Sequence, residues 1–153
     1  MPLFRSATPE DERLLLSLTP QLADFVIPHW RTPEEITRAD HPMLKSALHE
    51  PSPETTVVVA EEPAGTPVGF VFVSTHYDFF TGQPHAHIEV LAVSPLARGH
   101  GLGRALIFQA EAWARSRGYE RLTLNVFASN TRARAVYERL NYEAETVHYL
   151  KLL

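Results

Sequence analysis

The chain has no cysteine at all. Disulfides, thiolate metal clusters and a cysteine nucleophile are therefore excluded, and packing alone must hold the fold. The N-terminal stretch also lacks the basic start and apolar core of a secretory leader. No apolar run approaches membrane-spanning length, so a cytoplasmic protein without a membrane partner is the expectation. Positive charge is not in excess: 14 Lys and Arg stand against 18 Asp and Glu, for a net charge of −4 and a pI near 6.0. That balance argues against nonspecific nucleic-acid binding as the main activity, although Arg98, Arg104, Arg132 and Arg134 could still form a local basic patch. No internal repeat or linker interrupts the 153 residues, which suit one domain spanning 1–153. At 44% hydrophobic and 21% charged, the chain has the composition of an ordinary soluble globular protein.

Glycines are few, but three of the seven fall at alternate positions in one stretch, Arg98-Gly99-His100-Gly101-Leu102-Gly103-Arg104. A short apolar run, Ile88 to Val93, enters this stretch, Pro95 breaks it, and a helical pattern opens immediately afterwards. A strand, a glycine turn and a helix N-terminus in that order present unpaired N–H groups and the positive end of a helix dipole. Such a site favours an anion, most often phosphate. A Walker A loop is excluded because neither its lysine nor the following hydroxyl residue is present. A dinucleotide fingerprint fails twice: the third glycine comes one position early, and the next strand ends without an acid. The bland alternative is a glycine-rich turn with no ligand.

The rest of the chain reads as alternating elements. Leu3 to Ala7 is a short strand. Thr8-Pro9-Glu10-Asp11 and Thr32-Pro33-Glu34-Glu35 are helix starts with a capping residue, proline in the first turn and acids at the dipole's positive end. A further short helix runs from Pro42 to about His49. Thr55 to Ala60, Val68 to Tyr77 and Ala86 to Val93 are strands joined by short connections, which requires antiparallel pairing. Leu102, Leu106, Ala110 and Trp113 line one face of a helix that Gly118 ends. Leu122 to Phe127 is a strand, and Ala133, Val136, Tyr137 and Leu140 form the next helix's apolar face. Asn141 suits a left-handed C-cap. Thr146 to Leu152 is a last strand. The strand–helix–strand unit around Gly99 demands a parallel pair. The expected class is α/β (α+β), with a mixed, mostly antiparallel central sheet flanked by helices.

Two segments in order carry a family resemblance. Ile88-Glu89-Val90-Leu91-Ala92-Val93-Ser94-Pro95, followed by the R-x-x-G-x-G loop from Arg98 to Gly103, resembles the fourth strand and acetyl-CoA pyrophosphate loop of the GNAT N-acetyltransferase superfamily. Leu122 to Tyr142 resembles that family's fifth strand, fourth helix and following turn. The resemblance implies the GNAT fold and direct acetyl transfer from acetyl-CoA, as co-substrate, to a primary amine of a small molecule or a peptide or protein N-terminus, with no metal. It implies that the backbone of Arg98, Gly99, His100, Gly101, Leu102, Gly103 and Arg104 holds the pyrophosphate. It also implies that Leu91, Ala92 and Val93 bind the pantetheine arm as an added strand would, beside a bulge where the fourth strand parts from the fifth. Asn130 matches a residue that bonds the pantetheine, and Tyr137 matches the tyrosine that protonates the leaving thiolate. A non-catalytic acyl-CoA-binding module would share the loop and Asn130 without needing an acid or a base.

Aminolysis of a thioester needs a base for the amine, polarisation of the carbonyl and protonation of the thiolate. Glu89 is the candidate base, acting directly or through water, because it stands in an apolar strand where a carboxyl's proton affinity is readily tuned. Asp78 and His76 are the fallbacks, and the Leu91 and Val93 amides are the expected carbonyl polarisers. Arg132 and Arg134 read as a solvated helix face, within reach of CoA phosphates. Tyr137 and Asn130 also have structural readings, as a core aromatic and as a helix N-cap. The acceptor walls implied by the resemblance are Phe25 to Arg31, Tyr77 to Phe80 and Ala144 to His148. Their aromatic set, Trp30, Tyr77, Phe79, Phe80 and His29, fits an apolar amine or a peptide end and ordinary packing equally well. No acidic cluster for a polyamine or aminoglycoside stands out. Of eight histidines, His85 and His87 share a strand face near His76. With no carboxylate at ligand spacing, they read as solvated rather than as metal ligands. A homodimer built through Thr146 to Leu152 is compatible with either function.

Overall fold

The computed structural model describes residues 2–153. Strand β1 (Leu3–Ser6) leads through a 3₁₀ turn into helix α1 (Glu12–Leu18). A second 3₁₀ segment (Thr19–Ala23) and helices α2 (Pro33–Arg38) and α3 (His41–His49) follow. Strands β2 (Thr55–Glu61), β3 (Pro67–Tyr77) and β4 (Pro84–Val93) then form the centre of the sheet. Helix α4 (Leu102–Ser116), strand β5 (Leu122–Leu124) and helix α5 (Thr131–Arg139) complete the regular elements. The sheet runs β1-β2-β3-β4-β5, antiparallel throughout except for the parallel β4–β5 pair, as the connection lengths require.

The alternation of the central strands sorts two cores onto opposite faces. Val71, Val73, Ala86 and Ile88 pack against Leu102, Leu106, Ala110 and Ala114 of α4. Val57, Val59, Phe70, Phe72, Val90 and Ala92 pack against Leu15 of α1 and Leu44 and Leu48 of α3. The helix signals are satisfied where the sequence places them. Thr8 and Asp11 form a capping box, and the Thr32 hydroxyl accepts from Glu35 N–H. Gly118 (φ +76°) and Asn141 (φ +70°) take the left-handed conformation that ends α4 and α5.

Gly69 sets how closely α4 approaches the sheet. A Cβ there would lie 3.0 Å from the Ala92 carbonyl oxygen, 3.2 Å from Leu106 Cδ1 and 3.4 Å from Leu102 Cδ2. Gly69→Ala is therefore expected to lower unfolding free energy by roughly 1–3 kcal/mol, the cost of overpacking a closed core. Urea denaturation with an unchanged m-value reads this directly, and a neutral result would mean that α4 shifts freely.

Two expected strands differ in the structure. The run from Leu122 to Phe127 is a strand only as far as Leu124, because β4 pairs with β5 only through Ala86, His87 and Ile88 and then diverges. Thr146 to Leu152 forms no strand; Glu143 to Leu153 is irregular and exposed throughout. Its composition suits a strand, but it pairs with no strand among the described residues. No helix among the described residues is long and apolar enough to cross a membrane.

Candidate active site

The site lies where β4 leaves β5. The β3–β4 register shifts between Phe72 and Val73, whose partners are Val90 and Ile88, so Glu89 is the extra residue of a bulge. Glu89 shares the face that Ser74 and His76 occupy, and the bulge brings Val90 and Ala92 onto that same face. Ser74 Oγ donates to Glu89 Oε1 at 2.5 Å, and His76 Nε2 lies 2.5 Å from the same oxygen. The Glu89 side chain is 10% exposed and that of His76 is 41% exposed, so the carboxylate is sheltered and the imidazole opens to solvent. Both contacts fall on one carboxylate oxygen, and Oε2 has no hydrogen-bond partner among the described residues.

The neighbouring polar groups escape a residue-by-residue reading of the sequence. The His87 ring stacks on His76 with centroids 4.2 Å apart, and its Nδ1 lies 2.7 Å from Thr123 Oγ1 on β5. His85 and His87 are buried, which corrects the expectation of solvated histidines. The carboxylate judged absent by sequence spacing is supplied in space by Glu89. Donor atoms of His76, His87 and Glu89 lie within 4.8 Å of one another, close enough for a metal ion. Their hydrogen bonds to Ser74, to Thr123 and between His76 and Glu89 already occupy Glu89 Oε1 and His87 Nδ1. Asp40, preceding α3, also belongs to this face: burial, and then the Glu89 charge, hold its pKa above the ordinary carboxylate value. The signal for the cluster was period two, Ser74-x-His76 on one strand and His85-x-His87-x-Glu89 on the next, continuing the core-facing positions of β3 and β4.

Burial, and then the His76 charge, depress the His87 pKa. A depressed folded-state pKa means that the unfolded chain takes up a proton first as pH falls through the ordinary histidine value near 6.5. Stability from the neutral ring is thus complete above that pH and declines below it until the folded pKa is passed. His87→Asn is expected to flatten the fall in melting temperature between pH 7.5 and 5.5; an unchanged slope would assign that fall to other groups.

Asp78 is a poor base by its surroundings. Hydrogen bonds from the Thr81 hydroxyl and N–H hold its pKa below the usual carboxylate range, with Arg121 3.7 Å away.

The glycine stretch joins β4 to α4. After a 3₁₀ turn at Pro95–Ala97, Gly99 and Gly101 adopt φ of +83° and +76°, angles that strain any L side chain, and Gly101 caps α4. From Gly99 to Arg104 no backbone N–H donates to an acceptor among the described residues. Arg98 differs from a free phosphate ligand: its guanidinium binds Asp24 at 2.6 Å and Gln21 at 2.7 Å, tying the loop to the segment after α1. Leu91, Ala92 and Val93 lie beyond the last β4–β5 pair, where the strand edge faces a gap.

Asn130 caps α5, its side chain accepting from Ala133 N–H at 3.2 Å. Arg132 and Arg134 are exposed, and Arg134 donates to the Ala128 carbonyl. Tyr137 lines a groove of about 990 Å³ between α4, β5 and α5, and burial pushes its phenol pKa up. The ring meets Tyr142 edge-on at 6.0 Å. Among the expected acceptor walls, Phe25 packs on Phe127 at 5.4 Å, whereas Tyr77, Phe79 and Phe80 are 68%, 92% and 78% exposed. Packing within this chain therefore does not account for those three aromatics.

The model of the acetyltransferase (GNAT) family matches residues 20–142. The chain belongs to the GNAT family. A mycothiol acetyltransferase from Salinispora arenicola is 33% identical over 95% of this GNAT chain, which spans 45% of that relative's length. An aminoglycoside N(6')-acetyltransferase type 1 from Stenotrophomonas maltophilia is 30% identical over 99% of this chain and 93% of its own. Among solved structures, a Pyrococcus furiosus chain assigned as an acetyl transferase superposes with a TM-score of 0.80 at 25% identity, covering 100% of both chains. The GNAT fold expected from the sequence is thus the fold observed.

Proposed function

We propose that this chain is an acetyl-CoA-dependent N-acetyltransferase that passes the acetyl group directly to a primary amine. The observation that carries the reading is the placement of one sheltered carboxylate, Glu89, at the point where β4 parts from β5, on the strand that leads into a loop of unpaired N–H groups. The loop from Gly99 to Arg104 suits a pyrophosphate, and the open edge at Leu91 to Val93 suits an amide-bearing arm such as pantetheine. The thioester carbonyl then lies near the Leu91 and Val93 amides, which polarise it.

In the transfer, Glu89 takes a proton from the ammonium form of the acceptor. The freed amine nitrogen bonds to the carbonyl carbon, and the carbon–sulfur bond breaks. Tyr137, whose phenol pKa burial raises, gives its proton to the departing thiolate and recovers, directly or through water, the second proton that the nitrogen loses as the amide forms, while Glu89 releases the first to solvent. No covalent intermediate on the protein is needed, in keeping with the lack of cysteine.

The named relatives act on small molecules, which supports a small-molecule amine over a peptide terminus. Asp40 and Glu89 give the acceptor face negative character suited to an ammonium group, and the exposed Tyr77, Phe79 and Phe80 offer it apolar surface. Thiol release from acetyl-CoA across a panel of amines, amino sugars and peptide N-termini tests the reading, with no thiol background from the protein. Amine-dependent release is the expected result. Acetyl-CoA binding by calorimetry with no release from any amine would instead make the chain an acyl-CoA-binding module.

A further inference from the structure

Glu89 and two of its neighbours are, by chemical type, ligands for a metal ion. His76 stands on β3, and His87 and Glu89 stand two residues apart on β4, all continuing the face that packs toward α1 and α3. One donor atom from each lies within 4.8 Å of the other two. Zinc ligands about 2.1 Å from the ion stand about 3.4 Å apart in a tetrahedron, so side-chain movements of about 1 Å bring all three onto one ion. The His76 side chain is 41% exposed and has room to make that movement.

The hydrogen bonds around the cluster aim these donors. Ser74 Oγ and His76 Nε2 both reach Glu89 Oε1, and Oε2 is unpartnered among the described residues. The Thr123 hydroxyl donates to the Ala86 carbonyl oxygen at 3.5 Å, so it accepts from His87 Nδ1–H at 2.7 Å. That tautomer leaves a lone pair on Nε2, which makes no hydrogen bond to a described residue although His87 is only 8% exposed. An imidazole fixed through one nitrogen with the other free is the arrangement that orients a metal-binding histidine. His76 Nε2 and Glu89 Oε1, 2.5 Å apart, mark the place of the ion, which displaces the proton between them to solvent. Asp40, its pKa raised by burial and then by the Glu89 charge, faces the same cluster, so a cation there relieves a repulsion between carboxylates.

We infer that His76, His87 and Glu89 bind one divalent cation of the zinc class, and that the bound ion stops acetyl transfer by occupying the base. Two imidazoles and a carboxylate suit zinc, with the fourth position left to water. The ion takes no part in the transfer; it holds the carboxylate that must accept the amine's proton. Binding stands on the geometry alone, whereas inhibition rests on the role proposed for Glu89. No protein thiolate competes for zinc, because the chain has no cysteine.

Calorimetric titration of the full chain with zinc, in the absence of acetyl-CoA, tests the site. One ion per chain is expected to bind. His76→Gln, His87→Gln or Glu89→Gln is expected to weaken that binding roughly 100-fold, and Thr123→Val, which removes only the support of His87, roughly 10-fold. His49→Gln breaks a separate histidine–carboxylate pair, with Glu12, and is expected to leave the affinity unchanged. The half-exposed His76 decides if a change at buried His87 prevents folding. No saturable binding, or binding that survives the His76 and Glu89 substitutions, would overturn the site. Acetylated amine, counted by chromatography because zinc disturbs a thiol readout, is expected to fall in step with site occupancy and to return with EDTA. Zinc bound through these residues with turnover unchanged would overturn the inhibition, and with it the role of Glu89. A chain that acetylates no amine even without zinc would overturn the inhibition together with the functional reading, while calorimetry still decides the site.

Discussion

Glu89→Gln is expected to lower kcat by roughly 10²–10³-fold, with acetyl-CoA affinity nearly unchanged. The substitution keeps the shape of the side chain and an oxygen able to accept from Ser74 Oγ and His76 Nε2, so the bulge and both strands should stand. What is lost is an oxygen that can take the amine's proton. A single-turnover measurement with a saturating amine isolates this step. The loss should shrink at high pH, where more of the amine arrives already deprotonated, and that recovery separates a missing base from a distorted site. A variant within two-fold of the parent at neutral pH would remove Glu89 from the chemistry and leave His76, the half-open imidazole beside it, as the acceptor of the proton.

Tyr137→Phe removes one hydroxyl from a half-buried ring and is expected to cost about 100-fold in turnover. The ring still meets Tyr142 and still lines the groove, so folding and acetyl-CoA binding should be almost unaffected. The informative comparison varies the leaving group. A thioester of an acidic thiol departs without proton assistance, so the penalty should fall toward unity on an aryl thioester and remain large on acetyl-CoA. An equal penalty on both would mean that the hydroxyl positions the substrate rather than protonating the thiolate.

Much of the site was legible because its signals are local. The loop from Arg98 to Arg104 announces itself through glycines before a helical pattern, and the structure gives Gly99 and Gly101 the positive φ that only such a residue tolerates comfortably. Glu89 stood out as a charge inside an apolar run. Its partners did not, because Ser74 and Asp40 reach the same face from β3 and from the residue preceding α3, and no spacing along the chain records that approach. The histidines misled for the same reason: counted singly they are surface residues, whereas in alternate register on β4 they are buried. The strand boundaries that failed are those decided by a neighbour. Leu122 to Phe127 alternates well enough to pair along its length, but β4 turns away after Ile88 and leaves Asn125 and Val126 with nothing to pair with. Thr146 to Leu152 has the composition of a strand, yet it pairs with no strand of the sheet although the outer edge of β5 is open.

The divergence of β4 from β5 has a consequence for the protein before any substrate arrives. A central strand normally has both edges satisfied, yet Leu91 to Val93 keeps one edge open in the interior of the sheet, the kind of edge that invites foreign strands. An extended arm laid along that edge, as proposed for the co-substrate, completes the sheet. Whatever arm lies along that edge covers the exposed main chain and stabilises the folded state in proportion to the logarithm of its concentration. On the proposed function, the concentration of co-substrate sets the stability of the fold as well as the rate of turnover.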